Sequence, residues 1–180
     1  TLKISIGNNT FGNCYNLQSI NIPSSVSVIE DEAFSYCHSM SSITIPSSIT
    51  RIETDEFANF YNLNNLYYEH NSPLKSDFIT KYNSINLFEY ISLNSENPTI
   101  DVSDIYGNDV IIYSNNSTGK LTKTGLLDNL SRLIKADLDG ISEIGDNVFE
   151  NYHSLTELNI SSTVTKLGTD AFKNCVGLDK

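Results

Sequence analysis

Apolar residues recur along this chain with a period too long for a single helix or strand. Phe11, Phe34 and Phe57 stand 23 residues apart, and the residues after each agree column by column. Phe11, Cys14, Leu17, Ile20, Ile22, Pro23, Val26 and Ile29 correspond to Phe34, Cys37, Met40, Ile43, Ile45, Pro46, Ile49 and Ile52. The third unit carries Phe57, Phe60, Leu63, Leu66 and Tyr68, then loses its proline. The pattern returns as Phe149, Tyr152, Leu155, Leu158, Ile160, Val164 and Leu167, after which Phe172, Cys175 and Leu178 open another unit. Two weaker units follow a 22-residue step. One holds Leu74, Ile79, Tyr82, Ile85, Phe88 and Tyr90; the other holds Leu127, Leu130, Leu133, Ala136, Leu138, Ile141 and Ile144.

Spacing within a unit predicts its shape. Phe34, Cys37 and Met40 step by three, as along one face of a short helical turn. Asp31 and Glu32 precede that turn, where carboxylates favour a helix N-terminus. Ile43 and Ile45 step by two, as one face of a strand does. Pro46-Ser47-Ser48 ends the strand and turns the chain, and Ile49 and Ile52 bring it back. No unit this small buries its own apolar face, so neighbours must stack. The expected fold is therefore an α/β solenoid of about eight units, each of 22–24 residues with a short strand and a short helical turn. Residues 1–180 read as one continuous array with degenerate or irregular repeats at 72–125, where Val110–Tyr113 is the clear strand. The pattern is under way at both ends, as expected of a fragment of a longer protein.

The columns I-x-x-x-x-F-x-x-C-x-x-L-x-x-I-x-I-P-x-x-V-x-x-I resemble the BspA-like leucine-rich repeat family. Residues 6–29, 29–52 and, less fully, 144–167 carry them. The resemblance implies a leucine-rich repeat solenoid in a secreted or cell-surface protein of a bacterium or protozoan. It implies adhesion and protein binding, with no catalytic residues and no cofactor to carry over.

Composition narrows the partners. A formal net charge of −11 with a pI near 4.5 argues against nucleic acid and against anionic membrane surfaces. No apolar run approaches the length of a membrane span, so insertion is not expected. The three cysteines form no disulfide framework and include no C-x-x-C pair of the kind zinc sites use. Cys14, Cys37 and Cys175 share a column that Phe60, Leu130 and Tyr152 fill elsewhere, which marks a core position where thiols pack as small hydrophobes. Of the three histidines, His38 and His153 fall just after that column, on the outer face, and His70 lies outside it. No G-x-S-x-G or similar nucleophile context accompanies them, so the chain reads as a non-enzyme. Two acidic stretches, Asp101–Asp109 and Asp137–Glu143, lack EF-hand spacing and read as turns. Sequons at Asn8, Asn115, Asn116, Asn129 and Asn159 matter only in a eukaryotic secretory pathway.

Strand alternation then places a binding face. With Ile20 and Ile22 inward, Ser19 and Asn21 point outward. The same columns continue through Ser42 and Thr44, Asn65 and Tyr67, Leu87 and Glu89, Lys135 and Asp137, and Glu157 and Asn159. Stacking sets these in two parallel rows, the face that repeat curvature makes concave. Tyr67, with Tyr61 nearby, is the strongest cluster, because aromatic groups dominate binding hot spots; Tyr68 is expected to face the core. The reading is a protein-interaction or adhesion module of a secreted or surface protein, with a host or matrix protein as partner. The alternatives are a carbohydrate-recognising or enzyme-attached targeting module, and an intracellular scaffold in which free thiols stay reduced.

Overall fold

Residues Ser42–Ile45 alternate hydroxyl and isoleucine side chains, and in a computed structural model of the chain they form a strand with both isoleucines buried. The structure describes residues 3–53, 62–82, 85–101, 109–114, 116–124 and 132–179. They fall into two units, Thr1–Phe88 and Glu89–Lys180. Phe57, Phe60, Tyr61, Leu127, Leu130, Asn115, Asn129 and most of Asp101–Asp109 lie outside the described residues.

The first unit contains β1 (Ile4–Ile6), β2 (Val26–Ile29), β3 (Ser42–Ile45), β4 (Arg51–Ile52), β5 (Asn65–Glu69), α1 (Lys75–Lys81) and the start of β6 (Asn86–Leu93). Strands β1, β2 and β4 pair in parallel as one small sheet. Strand β3 pairs in parallel with β5 in the register the repeat predicts, Ser42 beside Asn65 and Thr44 beside Tyr67. Between the sheets lie Ile29, Phe34, Cys37, Met40, Ile45, Ile49, Leu66 and Tyr68, all without solvent exposure. The phenylalanine column stacks directly, Phe11 on Phe34 with centroids 5.3 Å apart and planes 2° from parallel. Helix α1 buries Phe78, and its Asp77 and Lys81 lie at the termini where their charges oppose the helix dipole.

The second unit contains β7 (Thr99–Asp101), β8 (Asp109–Ser114), β9 (Lys120–Thr124), β10 (Leu133–Asp137), β11 (Glu143–Ile144), β12 (Glu157–Asn159) and β13 (Lys166–Leu167). Strands β8, β10 and β12 form one parallel run, and β7, β9, β11 and β13 the other. Ile112, Leu121, Leu133, Ala136, Ile144, Phe149 and Leu155 close the core, and Phe149 stacks on Phe172 at 5.2 Å and 5°. Strands β12 and β13 are outermost in their sheets, and there Ile160 and Leu167, expected inward, are exposed.

In four of the described repeats the expected helical turn is replaced by another structure, whereas the Leu74 unit keeps a helix, α1. Each of the four holds two residues with left-handed backbone, four positions apart: Asn9 and Asn13, Glu32 and Tyr36, Asn147 and Asn151, Asp170 and Asn174. A right-handed helix cannot contain them. Their effect is to split the amide donors between two jobs. The amides of Ala33, Ser35 and Cys37 bond three residues back, to Glu30, Glu32 and Phe34, while those of Phe11 and Asn13 donate to Ala33 and Ser35 of the next coil. The second unit repeats this, with Phe149 donating to Ala171 and Asn151 to Lys173. A helix would consume every amide internally; a run of tight turns leaves alternate ones free to tie coils together.

Candidate interaction surface

The strand rows can be followed residue by residue. In the first unit Ser19, Asn21 and Thr44 are exposed, and Ser42, Asn65 and Tyr67 are half-buried. Neither Ser19 nor Asn21 lies in a regular strand, although Ile22 beside them is buried. In the second unit Lys135 and Asp137 stand beside Glu157 and Asn159 in register. Lys135 Nζ lies 2.8 Å from a Glu157 carboxylate oxygen, and that hydrogen bond, then the carboxylate charge, push the ammonium pKa up. Asn159 Nδ2 donates to Asp137 Oδ1 at 3.0 Å.

Strand β6 departs from expectation. Leu87 is half-buried against the core of the first unit, and Glu89 has no solvent exposure. Neither belongs to an outward row. Asn86 and Phe88 take those places in the first unit: Asn86 Nδ2 donates to Asn65 Oδ1 at 3.0 Å, and Phe88 stacks on Tyr67 at 4.6 Å and 18°. The repeat shortens here to 21 residues, so every side chain of the strand changes face. The signal is in the sequence, where Asn65-Leu66-Tyr67 and Asn86-Leu87-Phe88 match at that step. In the second unit the half-buried rings of Tyr90 and Tyr113, not foreseen as outward positions, meet edge to face at 5.5 Å.

Charge divides the two units. From Ile4 to Ile29 and from Ala33 to Thr50 there is no Asp, Glu, Lys or Arg. Those stretches of the first unit therefore offer hydroxyls, amides and aromatic rings, whereas the strand rows of the second carry ion pairs. On its other strands Glu143 lies 2.9 Å from both Lys120 and Lys166, and these bonds hold its carboxyl below the usual range.

The family model of the BspA type leucine rich repeat region (6 copies) matches residues 3–109 and 81–179. The chain belongs to the BspA-type leucine-rich repeat family. A solved leucine-rich repeat protein from Bacteroides ovatus is similar to it at 16% identity with a TM-score of 0.38, over 98% of this chain and 59% of that one. The chain thus spans less than two thirds of that protein's length. A comparison with curated proteins finds no match.

In this leucine-rich repeat chain the cysteine column is wall. Cys37 is fully buried, and its thiol donates to the Phe11 carbonyl at 3.3 Å; Cys175 does the same to Phe149 at 2.9 Å. Burial pushes both thiol pKa values up, for Cys37 with a further push from Cys14. Tyr152, which fills this column in another repeat, buries its hydroxyl without a hydrogen-bond partner among the described residues. At about pH 8, iodoacetamide is expected to modify half-buried Cys14 in the folded chain and to reach Cys37 only in urea. Equal modification of Cys37 in both conditions, measured by mass spectrometry, would contradict this packing. The two thiols hold their protons more tightly folded than unfolded. Their contribution to stability is therefore complete below the unfolded thiol pKa of about 8.5 and declines as pH rises beyond it.

The other candidate chemistry disperses. His38 is half-buried and His153 exposed, and His70 Nδ1 lies 3.4 Å from Lys75 Nζ. In the stretch 137–143, Gly140 donates to Asp139 Oδ1 at 3.0 Å within a turn. Among the described residues no three His, Cys, Asp or Glu side chains are grouped to hold a metal ion, and no helix is long and apolar enough to cross a membrane.

Proposed function

We propose that this chain is a non-enzymatic protein-interaction or adhesion module of a secreted or surface protein, and that it binds through the strand face of its first unit. Membership of a repeat family whose members generally mediate protein interactions supports the reading. The observation that carries it is the half-exposed stack of Tyr67 on Phe88, flanked by Thr44 and by the Asn65–Asn86 amide pair. Aromatic anchors ringed by small polar groups are the composition of a hot spot with its rim.

A panel of immobilised matrix proteins tests it. Tyr67→Ala and Phe88→Ala are each expected to weaken the interaction by roughly tenfold or more with little change in melting temperature. Unchanged affinity in both variants would remove the strand face as the site. Glu89→Lys does not probe this surface. Its target is buried, so that variant is expected to unfold the chain more readily whatever the partner.

A further inference from the structure

A second surface lies on the turn segments of the first unit, away from the strand rows. The His38 ring stands 5.5 Å from Tyr15 and 5.9 Å from Tyr36, close to parallel with the latter. Tyr15 is 55% exposed and Tyr36 44% exposed. Tyr15 Oη donates to Asn13 Oδ1 at 2.9 Å, and Asn62 Nδ2 donates to the His38 carbonyl.

Tyr36 is out of place by the rules of its own column. Its backbone is left-handed, with φ at 59°. The equivalent positions in other repeats are Asn13, Asn151 and Asn174, with φ of 62°, 66° and 61°. Asparagine enters this region with little penalty, and a bulky ring does not. The strain is not offset by burial, because nearly half of Tyr36 faces water. Backbone strain borne by an exposed residue points to function.

We infer that Tyr15, Tyr36 and His38 form a platform for a neutral glycan. Exposed aromatic faces present an apolar surface to the C–H faces of a sugar ring, while their polar rims and neighbouring amides serve its hydroxyls. The charge pattern disfavours an anionic polymer. In a chain of net charge −11, the two stretches that supply these rings contain no Asp, Glu, Lys or Arg. Between the stretches stand the carboxylates of Glu30, Asp31 and Glu32, which repel an anionic polymer and leave a neutral one unaffected.

The chain is studied by isothermal titration calorimetry, because emission from its ten tyrosines would not isolate this surface. It is titrated with cellohexaose, chitohexaose, xylohexaose and mannohexaose, and with a heparin-derived hexasaccharide as the charged control. At least one neutral hexamer is expected to bind, and the heparin fragment is not. Tyr15→Ala and Tyr36→Ala should each weaken binding by roughly tenfold or more. Tyr36→Asn should weaken it equally while raising the melting temperature by a few degrees, since it relieves the backbone. Tyr67→Ala should leave glycan affinity unchanged, which separates this surface from the strand face. The inference is overturned if no neutral hexamer binds, if binding survives loss of both rings, or if Tyr36→Asn lowers the melting temperature. It is equally overturned if Tyr36→Asn abolishes only the capture of a matrix protein.

Discussion

Phe34→Ala is expected to lower the free energy of unfolding by about 3–5 kcal/mol. Phe34 has no solvent exposure and lies face to face with Phe11. Its neighbours Cys37 and Met40 are equally buried, their amides are held within the turn by the Phe34 and Cys37 carbonyls, and the adjacent Ser35 carbonyl holds the Asn13 amide of the next coil, so the site has little freedom to collapse. The loss should appear in urea as a lower midpoint with an unchanged slope. Phe34→Leu, which retains most of the volume, should cost about 1 kcal/mol. A double-mutant cycle with Phe11→Ala should return a coupling of about 0.5–1.5 kcal/mol for the stacked pair. If Phe34→Ala cost less than about 1 kcal/mol, the phenylalanine column would not be the core that the repeat builds.

Gly140→Ala is expected to cost about 2–4 kcal/mol, from two separable causes. Gly140 has a left-handed backbone, with φ at +79°. A methyl group added there would come within 2.5 Å of the Ser117 carbonyl oxygen in the preceding coil. Leu138 and Ile141 on either side are fully buried, so the turn cannot move aside without disturbing the core. Gly140→Asn distinguishes the causes. Asparagine tolerates the backbone but still carries a Cβ, so a loss close to that of alanine assigns the effect to the contact between coils. A loss near zero in Gly140→Asn would assign it to the backbone alone. Thermal or urea unfolding measures both.

The inward columns were legible inside the arrays where the 23-residue step is kept, but not at the outermost coil, where Ile160 and Leu167 are exposed. Ile22, Ile29, Phe34, Cys37, Met40, Ile43, Ile45, Ile49, Leu66 and Tyr68 are all buried where the repeat places them. The step is blind to local conformation. A spacing of three fits a helical turn and a run of tight turns equally well, and the left-handed residues decide between them. Asn9, Asn13, Asn147, Asn151 and Asn174 carried that information as residue type. Asp170 carried it more weakly, and Glu32 and Tyr36 did not, because neither is a glycine, asparagine or aspartate. The error at Leu87 and Glu89 has another origin. A one-residue miscount exchanges the two faces of a strand, and counting from Phe57 outweighed the local match of Asn65-Leu66-Tyr67 with Asn86-Leu87-Phe88. Glu89, placed outward by that count, is buried in the structure. The cluster of Tyr15, Tyr36 and His38 was hidden because Tyr36 lies in a column the repeat leaves unassigned, while Tyr15 and His38 share a column read only as outer face.

The division of amide donors between coils makes neighbouring residues report on different motions. The Phe11 and Asn13 amides are held by the Ala33 and Ser35 carbonyls, whereas those of Gly12 and Cys14 are held by Asn9 and Phe11 in their own turn. Solvent protons reach the first pair only when two coils part, and reach the second pair when a single turn opens. Hydrogen exchange over these four residues would therefore follow two openings of different size and free energy along one short segment.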